Sequence, residues 1–221
     1  MHQRKSKKFL IYFFLFILIG SVNNLNFNSI DFYKIKKIKI YGLDNTNIIL
    51  NKIKNLNLGI IFFLNKNELK NIIESNNLVE DYKVYKRYPS TLNIYIKQTE
   101  FIGKINKEGK IFLIGSNGKL LKKEISNKKL PFIFGNPSID EFLKFKKIFD
   151  NSKFSYDQIK NLYFFPSKRW DIQLNNDILL KLPVSNVDVS LEYLFQLLSN
   201  DKLKNIKKVD ARINNQIIYN D

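Results

Sequence analysis

The longest apolar run of the chain lies at its start. Fourteen residues without a charge, Phe9 to Val22, follow a basic cluster that comprises Arg4, Lys5, Lys7 and Lys8. A helix over this run rises about 21 Å, and continuation through Phe27 gives about 28 Å, close to the roughly 30 Å of a bilayer's hydrocarbon core. The pattern predicts a cytoplasmic tail over residues 1–8, a transmembrane helix over residues 9–27 and an extracytoplasmic remainder, because basic residues stay on the cytoplasmic side.

The same run also fits the hydrophobic segment of a cleaved signal peptide, which is typically this short. Signal cleavage requires small residues at a defined spacing, and Gly20-Ser21-Val22 matches that pattern poorly. The sequence therefore favours an uncleaved anchor.

Residues 33–98 carry the pattern of one small α+β domain. A strand that contains Ile38 and Ile40 ends at Gly42, and two short helices follow it. Their apolar positions recur at helical spacing: Ile49, Leu50, Ile53 and Leu56, then Leu69, Ile72 and Ile73. Two strands, Val79–Tyr88 and Thr91–Gln98, complete a β-α-α-β-β order.

Capping chemistry predicts where three helices begin. The turn Leu43–Thr46 offers N-cap side chains, Asn65 stands three residues before Glu68, and Ser138 stands three residues before Glu141. The pair of Ser138 and Glu141 is a full capping box, so a helix should start at residue 139.

Residues 99–221 are predicted to form a β-rich domain with two helices, so that the fold class of the whole chain is α+β. Short strands separated by Gly-bearing turns occupy residues 101–105, 111–114 and 120–121, and further strands cover residues 169–174, 178–182, 209–213 and 216–219. The helices carry the apolar stripes Phe142, Leu143, Phe145, Ile148 and Phe149, then Leu191, Leu194, Phe195 and Leu198. We expect Trp170 and Phe195 to belong to the core.

Composition excludes some classes of site. The net charge is +17, but the 37 basic residues include only four Arg, and the Lys residues are spread along nearly every segment. This distribution is typical of a generally solvated surface, so we expect no nucleic-acid partner. Cys is absent and the single His is His2, so we expect no disulfide, no Cys/His metal site and no cofactor in the extracytoplasmic part.

Motifs of catalysis do not rise above chance. Three Ser-x-x-Lys matches occur, at Ser116, Ser126 and Ser199, and a composition with 33 Lys produces about two by accident. The partner motifs of Ser/Lys enzymes, a His-Glu-x-x-His helix and a P-loop are all missing from the sequence. We therefore expect no enzymatic activity and no small-molecule substrate.

Four segments carry a resemblance to a known family. They are Ile35-x-x-Ile38-x-Ile40-x-Gly42, Tyr88-Pro89-x-Thr91-Leu92-x-Ile94, Arg169-Trp170-Asp171-Ile172-x-Leu174 and Val209-Asp210-Ala211-Arg212. The first two resemble the polypeptide-transport-associated (POTRA) domain. With the anchor and the β-rich domain, all four are similar to the bacterial cell division family FtsQ/DivIB.

The resemblance implies a binding function. It predicts a single-pass inner-membrane protein at the division septum, with a cytoplasmic N-terminus, a POTRA domain over residues 33–98 and a periplasmic β domain over residues 99–221. It also implies that the chain recruits FtsB and FtsL and helps to control septal peptidoglycan synthesis. In the family a segment of FtsB adds to the last strand, which predicts partner contacts at Arg212, Ile213, Ile217, Ile218 and Tyr219.

Two alternatives stay open at the level of sequence. Another membrane-tethered POTRA adaptor, for envelope assembly or secretion, would differ only in its partner. Simple core packing explains Ile217 and Ile218 as well as partner contact does. The arginines add a hint, because Arg87, Arg169 and Arg212 all lie in or beside the four segments, where a rigid guanidinium fork has a use that Lys cannot replace.

Overall fold

The computed structural model describes residues 3–22, 34–56, 58–122, 129–199, 206–213 and 216–220. The first element is helix α1, Gln3–Val22, whose large apolar side chains from Phe9 to Ile19 are exposed. Within these described ranges, no helix combines the length and the apolar character needed to cross a bilayer. The predicted span over residues 9–27 stays a prediction, and its last five residues, 23–27, lie outside the described residues.

The chain divides into two units, one made of residues 1–73 and 82–96, the other of residues 74–81 and 97–221. After α1, the elements up to residue 98 are β1 (Lys37–Tyr41), α2 (Asn47–Lys54), a 3₁₀ turn (Ile61–Phe63), α3 (Lys66–Glu74), β2 (Val79–Arg87) and β3 (Thr91–Gln98). The predicted β-α-α-β-β order is thereby confirmed.

The small sheet has the strand order β1-β3-β2, with β1 and β3 parallel. Ile38 lies opposite Leu92 and Ile40 opposite Ile94, so these side chains share the face that the helices cover. The helices contribute fully buried residues to the same core: Ile49, Ile53, Leu69 and Ile73. The core of the small domain therefore consists of the apolar positions that the helical and strand periods predict.

Gly42 of the POTRA-like motif is fixed by a close backbone contact. Its φ is +88°, a conformation that side-chain-bearing residues rarely adopt, and a Cβ atom would lie 2.0 Å from the carbonyl oxygen of Ile96. Only glycine fits there.

The predicted caps of α3 and α4 agree with the structure, whereas the N-cap of α2 is Thr46, whose side chain makes no capping bond. Asn45 Oδ1 accepts the N–H of Asn47 at the start of α2, and Asn65 Oδ1 accepts the N–H groups of Asn67 and Glu68 at the start of α3. Ser138 and Glu141 form both bonds of the capping box. Each bond satisfies a backbone donor that the first helical turn leaves free.

The remaining elements form the β-rich domain. They are β4 (Phe101–Lys107), β5 (Lys110–Gly115), β6 (Leu120–Leu121), β7 (Phe132–Phe134), α4 (Ile139–Asp150), a 3₁₀ turn (Tyr156–Gln158), β8 (Ile159–Phe164), β9 (Trp170–Leu174), β10 (Leu179–Lys181), α5 (Val187–Leu198), β11 (Lys208–Ile213) and β12 (Gln216–Asn220). The strands build one sheet in the order β12-β11-β10-β9-β8-β7-β4-β5-β6.

One row of side chains runs across this sheet and forms its core. Residues opposite one another in successive strands are Ile105, Ile133, Leu162, Ile172, Leu180 and Val209, all buried. The helices α4 and α5 supply the other side of the same cluster with Phe142, Phe145, Phe149, Leu191 and Leu194. Trp170 is buried against Phe145, with ring centroids 4.7 Å apart, whereas Phe195 is only partly buried at the margin of the cluster.

The sequence predicted neither the three-residue strand β7 nor the longer strand β8. In β8, the buried residues Ile159 and Leu162 are three positions apart, because the register shifts at a β-bulge between Ile159 and Asn161. The bulge removes the alternation by which a strand is recognised.

Candidate functional site

Strand β12 lies at one edge of the nine-stranded sheet. It pairs antiparallel with β11, and within the described part of the chain no strand pairs with its other side. Every second backbone N–H and C=O group of an edge strand points away from its neighbour. The edge therefore offers unpaired backbone groups to which another strand can add.

Two rows of side chains reach this edge, one on each face of the sheet. On the helix-covered face, the buried row continues from Val209 to Tyr219. On the opposite face, Asp171, Lys181, Asp210 and Ile218 lie opposite one another in successive strands. Tyr219 is 47% exposed and Ile218 is 50% exposed, although their rows are otherwise largely covered. A strand added at β12 would extend both rows and remove these two side chains from water.

A cavity of about 510 Å³ opens between α5 and the β11–β12 hairpin. Its lining combines side chains from the helix with side chains from the strands: Val189, Ser190 and Tyr193, then Ile213, Gln216 and Ile217. Val189, Tyr193 and Ile213 are exposed. The edge of the sheet is thus joined to a depression with a mixed polar and apolar lining that can hold a side chain of a bound segment.

Arg212 and Asp210 form a forked ion pair on the other face. Arg212 Nε donates to Asp210 Oδ1 at 2.7 Å, and Arg212 Nη2 donates to Asp210 Oδ2 at 2.5 Å. These hydrogen bonds hold the pKa of the Asp210 carboxyl below its usual value. The Arg212 side chain remains partly exposed, so a further acceptor can reach the guanidinium.

A second pair of arginine and aspartate stands two strands away. Arg169 Nε donates to Asp171 Oδ1 at 3.1 Å, and the guanidinium lies over the ring of Phe165. Asp171 is buried, and burial raises the pKa of its carboxyl despite the bond from Arg169. Burial likewise lowers the pKa of Lys181, which lies between Asp171 and Asp210. The sheet face beside β12 therefore carries a row of alternating charges.

The five residues predicted as partner contacts do not share one environment. Arg212 and Ile218 lie on the charged face, whereas Ile213 and Ile217 line the cavity on the helix face. Ile217 is partly buried and packs against the core. All five nevertheless lie in the β11–β12 hairpin, at or next to the open edge.

The sequence interpretation missed the contribution of α5 to this region. Val189 and Tyr193 lie four positions apart and outside the core stripe of Leu191, Leu194 and Leu198. A second apolar pair at helical spacing was the available signal for a second contact surface on this helix.

Ser116 and Lys119 form the one Ser-x-x-Lys match in which both residues are described, and they bond to different groups. Ser116 Oγ donates to Glu80 Oε2 at 2.7 Å, whereas Lys119 Nζ donates to the carbonyl oxygen of Glu74 at 2.5 Å. Ser126 and Lys202, which belong to the other two matches, lie outside the described residues.

Comparisons with known proteins point to one family. Residues 103–212 match the family model described as cell division protein FtsQ/DivIB, C-terminal, and residues 33–98 match that of the POTRA domain, FtsQ-type. The chain is 30% identical over 236 residues to the cell division protein DivIB of Clostridium botulinum (strain Loch Maree / Type A3), with coverage of 93% of this chain and 87% of the relative.

A second curated relative is the cell division protein FtsQ of Rickettsia bellii (strain RML369-C). It is 27% identical over 201 residues, which cover 83% of this chain and 71% of the relative. Among solved structures, the major extracytoplasmic domain of DivIB from Geobacillus stearothermophilus, in its trans isomer, aligns at 14% identity over 50% of this chain and 99% of that domain. Its TM-score of 0.36 is too low to establish a shared fold.

Proposed function

The chain belongs to the FtsQ/DivIB family of cell division proteins, and on this basis we propose that it is a membrane-anchored scaffold that binds its partner along the open edge of β12. Membership makes it a component of the bacterial division machinery. Beyond this membership, we propose a partner, a mode of binding and a membrane topology.

The proposed partner is FtsB, with FtsL held through it, and the proposed mode of binding is strand addition. The observation that supports this most is at the edge strand β12, where both side-chain rows end in exposed residues, Tyr219 and Ile218. The outward backbone groups of β12 pair with no described strand. Backbone hydrogen bonds would supply affinity, and the cavity below Ile213 together with the Arg212 guanidinium would supply selectivity. The function requires binding alone, so we propose no catalysis, cofactor or small-molecule substrate.

The proposed topology places residues 9–27 in the inner membrane, with residues 1–8 in the cytoplasm and the POTRA domain (33–98) and the β domain (99–221) in the periplasm at the septum. The apolar side chains of α1 support it, because they are exposed along the helix from Phe9 to Ile19 and need an apolar environment. A reporter enzyme fused after Asp221 should be active only outside the cytoplasm. Activity inside the cytoplasm would refute this topology.

Strand addition can be tested with two isoleucines of equal exposure. Ile213 at the candidate site and Ile111 on β5 are both 54% exposed, so a change to Asp costs little desolvation at either position. We expect Ile213→Asp to abolish co-purification of FtsB with the full-length chain, because the change replaces an exposed apolar contact at the cavity with a negative charge. Ile111→Asp should leave capture unchanged. Full capture by a folded Ile213→Asp variant would exclude the site.

A further inference from the structure

A second exposed apolar surface lies on the small domain. Phe63, in the 3₁₀ turn, is 84% exposed. Its neighbour Phe62 is 50% exposed, and Tyr88 is 56% exposed. The rings of Phe62 and Tyr88 stack with centroids 5.0 Å apart, which links the turn to the loop between β2 and β3. Phe62, Phe63 and Tyr88 are called the aromatic patch below. Exposed aromatic clusters of this kind mark contact surfaces.

The aromatic patch lies where the chain enters the small domain from α1. Lys34 forms an isolated antiparallel bridge with Ile60, and the N–H of Ile35 donates to the carbonyl oxygen of Gly59. The N–H groups of Lys36 and Lys37 both donate to the carbonyl oxygen of Ser90. The first described residues of the domain are therefore bonded to both loops that carry the patch.

The segments around the patch carry only positive charge. Residues 34–37, 58–66 and 84–90 contain no Asp or Glu, and their basic residues are Lys34, Lys36, Lys37, Lys66, Lys86 and Arg87. Lys86 Nζ donates to the carbonyl oxygen of Phe62 at 3.2 Å, which fixes one cation at the patch itself. Aromatic rings carried on basic segments, with one cation held at the patch, match the headgroup region of an anionic bilayer, where both are enriched.

A neighbouring cavity has the same chemistry. It measures about 260 Å³, and its lining joins apolar side chains to basic ones: Leu64, Leu69 and Val84 with Lys66, Lys70 and Lys86. Lys86 belongs to both the cavity and the patch. An anionic headgroup with the first methylenes of its acyl chains would satisfy both kinds of lining.

We propose that the aromatic patch binds the surface of an anionic bilayer, with Phe63 inserted at the headgroup level, and so fixes the small domain against the membrane. The inference rests on the proposed anchoring of the chain through residues 9–27. Six residues, 28–33, separate the proposed anchor from Lys34, and such a segment spans at most about 25 Å. The anchor thus keeps the patch within reach of the lipid, and weak contacts become effective at that local concentration.

The absence of Cys allows single fluorescent labels to test this in the full-length chain. A polarity-sensitive dye would be attached to Phe63→Cys, to Ile48→Cys and to Leu15→Cys, each reconstituted into phosphatidylcholine vesicles with and without phosphatidylglycerol. Ile48 is the control, because it is 58% exposed and follows the far end of β1. Leu15 reports the anchor.

With vesicles that contain phosphatidylglycerol, we expect the emission of the label at position 63 to shift to the blue. When these vesicles also carry lipids with a nitroxide at the headgroup level, most of that emission should be quenched. The label at position 48 should stay water-like, and high salt should weaken the effect at position 63. The label at position 63 could keep the emission of a dye in water while the label at position 15 is quenched by nitroxides near the bilayer centre. That result would refute membrane binding by the aromatic patch and leave the proposed anchor intact. An unquenched label at position 15 would instead refute the proposed anchoring.

Discussion

Arg212 holds Asp210 in a two-pronged contact on the face of the sheet that reaches the open edge of β12, with the Nε–Oδ1 distance at 2.7 Å. The two residues are two positions apart in β11, so both side chains project from the same face. The pair sets the direction of the guanidinium while part of it stays accessible. An arginine so oriented can donate to an acidic group of a strand added at β12 without first changing its rotamer.

The pair should be visible in the titration of Asp210. Hydrogen bonds from Arg212 keep the pKa of Asp210 below its usual value, and Arg212→Ala should therefore raise it. Because the folded pKa is the depressed one, the stabilisation is present above the unfolded pKa of about 3.9 and is lost as the pH falls through the folded value. Carboxyl NMR titration of the wild type and of Arg212→Ala measures the shift. Equal pKa values in the two proteins would contradict the structure.

Phe142 should be a dominant core residue of the β-rich domain. It is fully buried against the sheet, so Phe142→Ala should lower the free energy of unfolding by about 3–5 kcal/mol through lost transfer energy and a cavity. Trp170 is the single tryptophan and is buried beside Phe142, so its fluorescence follows unfolding of this domain. Denaturant titration with this probe gives the measurement.

The matched control is Phe134→Ala in the same domain. Phe134 is exposed and stacks on Tyr163, so the substitution should lower the free energy of unfolding by about 1 kcal/mol. An equal loss of unfolding free energy for Phe134→Ala and Phe142→Ala would contradict the burial of Phe142 and the exposure of Phe134.

The capping box of α4 should contribute measurably to stability. Ser138→Ala removes the acceptor for the N–H of Glu141 and should cost about 1 kcal/mol. Ser190→Ala, within α5, removes only a bond to the carbonyl oxygen of Asn186 and should be nearly neutral. The same fluorescence titration compares them, and a neutral Ser138→Ala would exclude the capping role.

Local chemistry explains why much of the fold was predictable. The capping box at Ser138, the cap at Asn65 and the helical stripe through Phe142 and Phe145 act within one or two turns of chain. Such signals depend on neighbours in sequence and can be recognised there. The β-α-α-β-β order of the small domain follows from them.

Long-range geometry explains what was not predictable. The bulge at Ile159 concealed β8, and the parallel pairing of β10 with β11 joins strands separated by all of α5. The cavity between Tyr193 and Ile213 arises from that pairing. The position of β12 at the sheet edge likewise depends on the order of nine strands, which no single segment encodes.

Hydrogen exchange at β12 tests strand addition most directly. Amides of Gln216–Asn220 would be followed residue by residue in the full-length chain in lipid nanodiscs, with and without FtsB. The account predicts that alternate amides of β12, those that point away from β11, become protected when FtsB binds, because a new ladder pairs only every second group. Bound FtsB with unchanged exchange along all of β12 would contradict it.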